Sequence, residues 1–111
     1  MDLRKYLQKI VKVDIDRPLG SKHPKYKTIY LVNYGFVPGT KNDDGEEIDV
    51  YVLGVNKSVS NFEGIVIAVI HRLNDNDDKL VVAPEGVSFT DKEIIAQTYF
   101  QERYFKSEII R

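Results

Sequence analysis

Five β-rich runs precede the first helix start in this chain, and that order limits the fold more than any other feature of the sequence. Val11, Val13 and Ile15 alternate with Lys12, Asp14 and Asp16, the period-two pattern of a half-buried strand, which Arg17-Pro18-Leu19-Gly20 ends. A basic loop, Ser21-Lys22-His23-Pro24-Lys25-Tyr26-Lys27, leads to the β-rich run at residues 28–32, and residues 33–47 read as a long turn region. Residues 48–54 and 64–70 are dense in apolar, mostly β-branched side chains and read as central strands. Lys79–Ala83 is a further strand, stopped at Pro84 by the missing N–H and fixed φ. Thr90-Asp91-Lys92-Glu93 then has capping-box form, and Ile95, Tyr99 and Phe100 are expected on the buried face of the helix it opens. Strands followed by one late helix predict a mainly β, α+β domain: a small barrel or sheet carrying a C-terminal helix.

With 111 residues, 42% of them hydrophobic, residues 1–111 are expected to form a single domain. A net charge of −1 gives no overall field toward nucleic acid or an anionic membrane, so neither is an expected partner. The absence of cysteine excludes disulfides, thiolate catalysis and Cys-ligated metal centres. Lys and Arg interrupt the apolar residues of the first 16 positions, leaving no signal-peptide core, and a cytoplasmic location is expected.

Two acidic knots, at residues 43–49 and 75–78, hold eight of the 17 carboxylates. Crowded carboxylates repel and raise each other's pKa values, and a hard cation such as Mg²⁺ or Ca²⁺ relieves that. The same residues are also what two solvated hairpin turns would contain, since Asp, Asn and Gly favour turns for local reasons. Neither knot has the alternating acids and distant Glu of a calcium-binding EF-hand loop. His71, closing an apolar strand, is expected to be structural.

The run Ile29-Tyr30-Leu31-Val32-Asn33-Tyr34-Gly35-Phe36-Val37-Pro38-Gly39-Thr40, followed by Asp44-Gly45-Glu46-Glu47-Ile48-Asp49-Val50, resembles the signature of the family I soluble inorganic pyrophosphatases. Asp16-Arg17 upstream and Asp77-Asp78-Lys79-Leu80-Val81-Val82 downstream extend the resemblance over residues 16–84, and Phe105-Lys106 partly matches a helix Tyr-Lys pair. The resemblance implies a small, closed, OB-like β barrel with a helix beside it and a site at one barrel opening. It further implies hydrolysis of pyrophosphate with Mg²⁺ as cofactor, and possible homo-oligomers. By the same carry-over, Asp44, Asp49, Asp75 and Asp77 would hold Mg²⁺ and Glu46 would be the general base. Arg17, Tyr30, Lys79 and Lys106 would contact phosphate oxygens.

The sequence departs from the family pattern at several points. Glu46 and Glu47 replace Asp and Pro, Leu31 replaces a Pro, and Phe105 lacks a hydroxyl. The family carries about two strands before its Asp-Arg, bearing a metal-binding Glu and a phosphate-binding Lys, where this sequence has 15 residues. Lys22 or His23 would stand in for that Lys; the alternative is an ordinary solvated basic loop. Two functional classes follow: a Mg²⁺-dependent phosphohydrolase acting on pyrophosphate or a related phosphoanhydride, and a metal- and phosphate-binding protein with weakened catalysis.

Overall fold

A computed structural model describes residues 2–111. The alternating first run becomes β1 (Ile10–Arg17), with Val11, Val13 and Ile15 buried and their neighbours facing out. It pairs antiparallel with β2 (Asn33–Val37) on one edge and with the first half of β4 (Asn61–Arg72) on the other. Next to β2 lies β3 (Ile48–Val52), and β5 (Lys79–Ala83) sits parallel to β3 and antiparallel to β4. The circuit β1-β2-β3-β5-β4-β1 is a closed, mixed five-stranded barrel. A sixth strand, β6 (Ser107–Ile110), unforeseen in the sequence, extends the second half of β4.

So small a barrel needs sharp bends, and glycine permits two of them. At Gly35, where β1 slips register against β2, an added Cβ would lie 1.9 Å from the Asp14 carbonyl oxygen. At Gly64 on β4 it would lie 2.6 Å from the Ala83 carbonyl oxygen. A second slip, between Val66 and Ala68 opposite β5, is a bulge that bends the long strand around the barrel.

Alternation along each strand divides the apolar residues into two cores. Val13, Ile15, Ile48, Val50, Val52, Leu80 and Val82 fill the barrel, with Leu3 of an N-terminal 3-10 turn added to them. Tyr34, Tyr51, Val81 and Ala83 face the other way and pack beneath α1 (Asp91–Glu102) with Ile94 and Phe100. The capping box forms as expected: Glu93 N–H donates to Thr90 Oγ1 at 3.1 Å and Thr90 N–H to Glu93 Oε1 at 2.9 Å.

Two expectations are corrected. Residues 28–32 are not a strand; among the described residues their ladder pairing is limited to a single bridge between Lys22 and Ile29, and β2 runs instead through 33–37, inside the predicted turn region. Asn33 causes the shift, its Oδ1 accepting from Leu19 N–H at 2.9 Å and its Nδ2 donating to Lys57 O at 2.9 Å. This buried amide anchors the start of β2. On α1 the buried face is Ile94, Thr98, Phe100 and Glu102, whereas Ile95 and Tyr99 are more than half exposed. The helix is rotated by about one residue, because the i, i+4 series from Ile94 must end with Glu102 against the barrel.

Candidate active site

Parallel strands begin at the same end of a sheet, so the acidic knots that precede β3 and β5 come together. Asn42 Nδ2 ties one to the other by donating to Asp78 O at 2.9 Å. Val50 lies opposite Leu80, which puts Asp49 beside Lys79 on the outward face of the barrel. Lys79 Nζ donates to Asp49 Oδ2 at 2.8 Å and to Asp77 Oδ2 at 2.6 Å. Lys79 is only 2% exposed, and burying its ammonium is tolerable because both acids neutralise it. Burial pushes the Asp77 carboxyl above its usual value, a shift that Lys79 opposes and Asp49 reinforces. Its second oxygen, Oδ1, is buried without a hydrogen-bond partner.

Arg72 closes β4 and organises the other side. Its Nε and Nη2 donate to Glu102 Oε1 and Oε2 at 3.1 and 2.7 Å, and its Nη1 donates to Asp75 Oδ2 at 3.3 Å. The guanidinium lies 3.6 Å from the centre of the Phe105 ring. From Glu102 the network runs inward: Tyr51 Oη donates to Glu102 Oε2 at 2.6 Å, Gln101 Nε2 to Tyr51 Oη at 2.7 Å, and Tyr30 Oη to Gln101 Oε1 at 3.0 Å. Burial pushes the Tyr34 and Tyr51 phenols well above their usual range, so both stay protonated.

Between the outer face of the barrel and the end of α1, Asp49, Asp77, Lys79, Arg72, Tyr30 and Gln101 help to line a cleft of about 670 Å³. The site is therefore not at a barrel opening: Asp49 and Lys79 alternate with the inward Ile48, Val50 and Leu80, so they project outward. Asp16, Asp49 and Asp77 share this lining with Arg17, Arg72 and Lys79, and Tyr30 and Tyr34 belong to it as well. Burial also pushes the Asp16 carboxyl up, against the pull of Arg17.

Of the residues singled out in the sequence, Arg17, Tyr30, Asp49, Asp77 and Lys79 line this cleft together. Asp75 is outside its lining and held by Arg72. Asp44 and Glu46 sit on an exposed turn outside the lining, where Asp44 Oδ1 accepts from Glu46 N–H at 2.9 Å. Lys106 lines a different groove, with Leu73 and Ile95, between α1 and β6. Lys22 is not in the lining, but His23 is, and its Nδ1 accepts from Lys25 N–H at 3.0 Å to close its own loop. His71 is outside the lining, its Nδ1 2.8 Å from Asp78 Oδ2. No three Asp, Glu or His side chains among the described residues converge into a ready-made metal cage.

Sequence reasoning missed Asp16, Tyr34, Arg72, Gln101 and Glu102 as cleft or network residues. Arg72 did carry a signal, being a cation at the end of an apolar strand three residues before Asp75.

Residues 6–106 match the family model described as inorganic pyrophosphatase. The inorganic pyrophosphatase of Aeropyrum pernix is 34% identical over 62 residues, a match covering 52% of this chain and 35% of that relative. The chain thus spans about a third of the length of the curated relative it matches. Among solved structures, an inorganic pyrophosphatase from Helicobacter pylori superposes with a TM-score of 0.71 at 17% identity, over 92% of this chain and 84% of its own. One from Ehrlichia chaffeensis gives 0.70 at 21% identity, over 92% and 85%. The corresponding values for one from Neisseria gonorrhoeae are 0.66 and 22%, over 86% and 73%. At these identities the structural likeness is one of fold.

Proposed function

This chain belongs to the inorganic pyrophosphatase family, and from that premise we propose that it hydrolyses inorganic pyrophosphate to two phosphates in the cleft beneath the end of α1. The observation that carries the proposal is the convergence of Asp49, Asp77 and Lys79 with Arg17 on one cleft, out of segments far apart in sequence.

Mg²⁺ is commonly held by one or two carboxylates together with substrate phosphates and water, not by an all-protein cage. Asp49 and Asp77 match that donor set, and the buried, unpartnered Oδ1 of Asp77 is an oxygen still available for it. When bound, the ion would neutralise phosphate charge and lower the pKa of an attacking water.

The remaining steps belong to the chain itself. An ammonium has three donors, and Lys79 commits two of them to Asp49 and Asp77, which leaves one for a phosphate oxygen. Arg17 lies at the cleft wall with its Nη1 donating to the Asp16 carbonyl at 3.2 Å and 3.6 Å from the Asp16 carboxylate, and the rest of its fork would turn to the substrate. Tyr30 would exchange its bond to Gln101 for a phosphate oxygen. Among the acids of the cleft, Asp49 and Asp77 are clamped by Lys79 at 2.8 and 2.6 Å, whereas Asp16 is paired only at that longer distance. Asp16, its pKa raised by burial, is therefore the group placed to accept the proton of the attacking water.

A second reading, a binding protein with weakened catalysis, is favoured by the near balance of acids and built-in cations in the cleft. Phosphate release from pyrophosphate, measured with Mg²⁺ and with EDTA beside an Asp49→Asn variant, separates the two. Mg²⁺-dependent turnover lost in the variant supports the enzyme. Absent turnover, in a sample whose melting temperature still rises with Mg²⁺ plus phosphate, supports the binding protein.

A further inference from the structure

The cleft is much larger than a diphosphate, and a good part of its wall is aromatic. Its volume of about 670 Å³ falls within the roughly 300–1,000 Å³ of pockets that enclose drug-sized organic ligands. The charged groups that suit phosphate, Arg17, Lys79, Asp49 and Asp77, account for one part of the lining. Phe105 carries the Arg72 guanidinium, but His23, Tyr26 and Tyr104 belong to the same lining, and pyrophosphate makes no use of their rings.

Core packing explains Tyr30, Tyr34 and Phe100, which are buried. It does not explain Tyr26 and Tyr104, which are 66% and 64% exposed while lining the cleft; Arg103 holds Tyr104 by donating from Nη2 to its Oη at 2.8 Å, with the guanidinium 4.9 Å from the ring centre. One rides on the loop between β1 and β2, the other on the turn after α1. The Tyr26 loop is shaped around His23, whose Nδ1 accepts from the N–H groups of Lys25 and Tyr26 at 3.0 and 3.3 Å, and the His23 and Tyr26 ring centres are 4.9 Å apart. The imidazole and the phenol thus present a pair of adjoining rings beside a phosphate-sized cluster of charge.

We propose that the cleft takes a nucleoside diphosphate as substrate, with the diphosphate on Arg17 and Lys79 and the base stacked on Tyr26 and Tyr104. Every base has a π-face, and stacking on an aromatic side chain tolerates any of them, so the site selects for a flat group attached to a phosphoanhydride. The reaction is the one proposed for pyrophosphate, on which this inference rests. The oxygen of water bonds to the terminal phosphorus while the bond from that phosphorus to the bridging oxygen breaks. The bridging oxygen leaves on the nucleoside monophosphate, and the proton of the water passes to Asp16 and then to solvent.

Calorimetric titration of the whole chain with ADP, AMP and pyrophosphate in the presence of Mg²⁺, with phosphate release followed in parallel, tests this. The probe variant is Tyr26→Ala, Tyr104→Ala, both exposed positions whose loss leaves the cores intact. ADP is expected to bind more tightly than pyrophosphate, and the double substitution to lower the ratio of ADP to pyrophosphate affinity by about tenfold or more. Pyrophosphate binding and turnover without ADP binding, or a ratio unmoved by the substitutions, overturns the inference and leaves the pyrophosphatase reading standing. Phosphate release from ADP that the substitutions weaken, without any action on pyrophosphate, does the reverse, and ADP bound without phosphate release overturns the inference. Binding of neither ligand overturns both.

Discussion

Lys79 Nζ lies 2.8 Å from Asp49 Oδ2 because the strands that carry them run parallel and in register. The ammonium also holds Asp77, so it joins the two acidic knots. Replacing it by methionine leaves the two carboxylates facing each other. Removing one partner of a fully buried ion pair costs roughly 3–5 kcal/mol. Here the acids keep 30% and 22% of their side-chain exposure, so a loss of about 2 kcal/mol is expected for Lys79→Met. Urea denaturation measures it, and Asp77→Asn added to that variant should recover part of the loss.

The Arg72–Glu102 pair is more deeply buried, at 4% and 7% side-chain exposure. Glu102→Gln should cost about 3 kcal/mol by leaving the guanidinium short of its bidentate partner. Arg72→Met with Glu102→Leu removes both charges and should be less destabilising than the sum of the two single changes. Simple additivity in that double-mutant cycle would mean the pair does not couple α1 to β4.

Gly35→Ala tests the close approach of β1 and β2. The new Cβ would lie 1.9 Å from a backbone oxygen, which cannot move without opening the barrel seam. A loss of at least about 3 kcal/mol is expected, and wild-type stability in the Gly35→Ala variant would show that the seam yields without cost.

These contacts also show where local sequence stops being informative. Alternation at Val11, Val13 and Ile15 was legible because every second residue of β1 meets the same core. β2 was not, because its glycine serves strand approach instead of a turn, and the preceding residues 28–32 look like a strand yet form only a lone bridge. The pairing of Asp49 with Lys79 depends on two strands 30 residues apart running parallel, which no local pattern reveals. Conversely, Asp44 and Glu46 stand near Asp49 in sequence, but Asp44 spends an oxygen on the turn itself and the exposed turn leaves both outside the cleft. On the helix, Ile95 and Tyr99 fit an apolar stripe as well as Ile94 and Thr98 do; the choice was made by Glu102 reaching Tyr51 and Arg72.

His71 supplies a pH signature separate from catalysis. The hydrogen bond with Asp78 raises its pKa above the ordinary 6.5. A raised folded-state pKa means that the protonated form is favoured in the folded protein. Its stabilisation is complete below pH 6.5 and is lost as pH rises through the folded value. The melting-temperature gap between wild type and His71→Gln should therefore be larger at pH ~5.5 than at pH ~8.5. A gap independent of pH would assign the contact to packing alone.

For the proposed hydrolysis, Asp16 and Glu46 are the two candidates for proton acceptor, and position favours Asp16. Asp16 lines the cleft, with burial raising its pKa, beside the Arg17 that would grip phosphate. Glu46 is on an exposed turn whose backbone is fixed by Asp44 Oδ1 and by Asn42 N–H donating to Glu46 O at 2.7 Å. A positioned base contributes roughly 10²–10⁴-fold to rate, so Asp16→Asn should lower kcat on pyrophosphate by at least about 100-fold. Glu46→Gln should lower it far less. Because a change in metal binding could also depress turnover, both variants should be assayed across a Mg²⁺ titration; loss of a base persists at saturating metal, whereas loss of a ligand is recovered. If instead Glu46→Gln collapses kcat at saturating Mg²⁺ while Asp16→Asn does not, the turn carrying Glu46 must close over the substrate during turnover, and the base belongs to that turn.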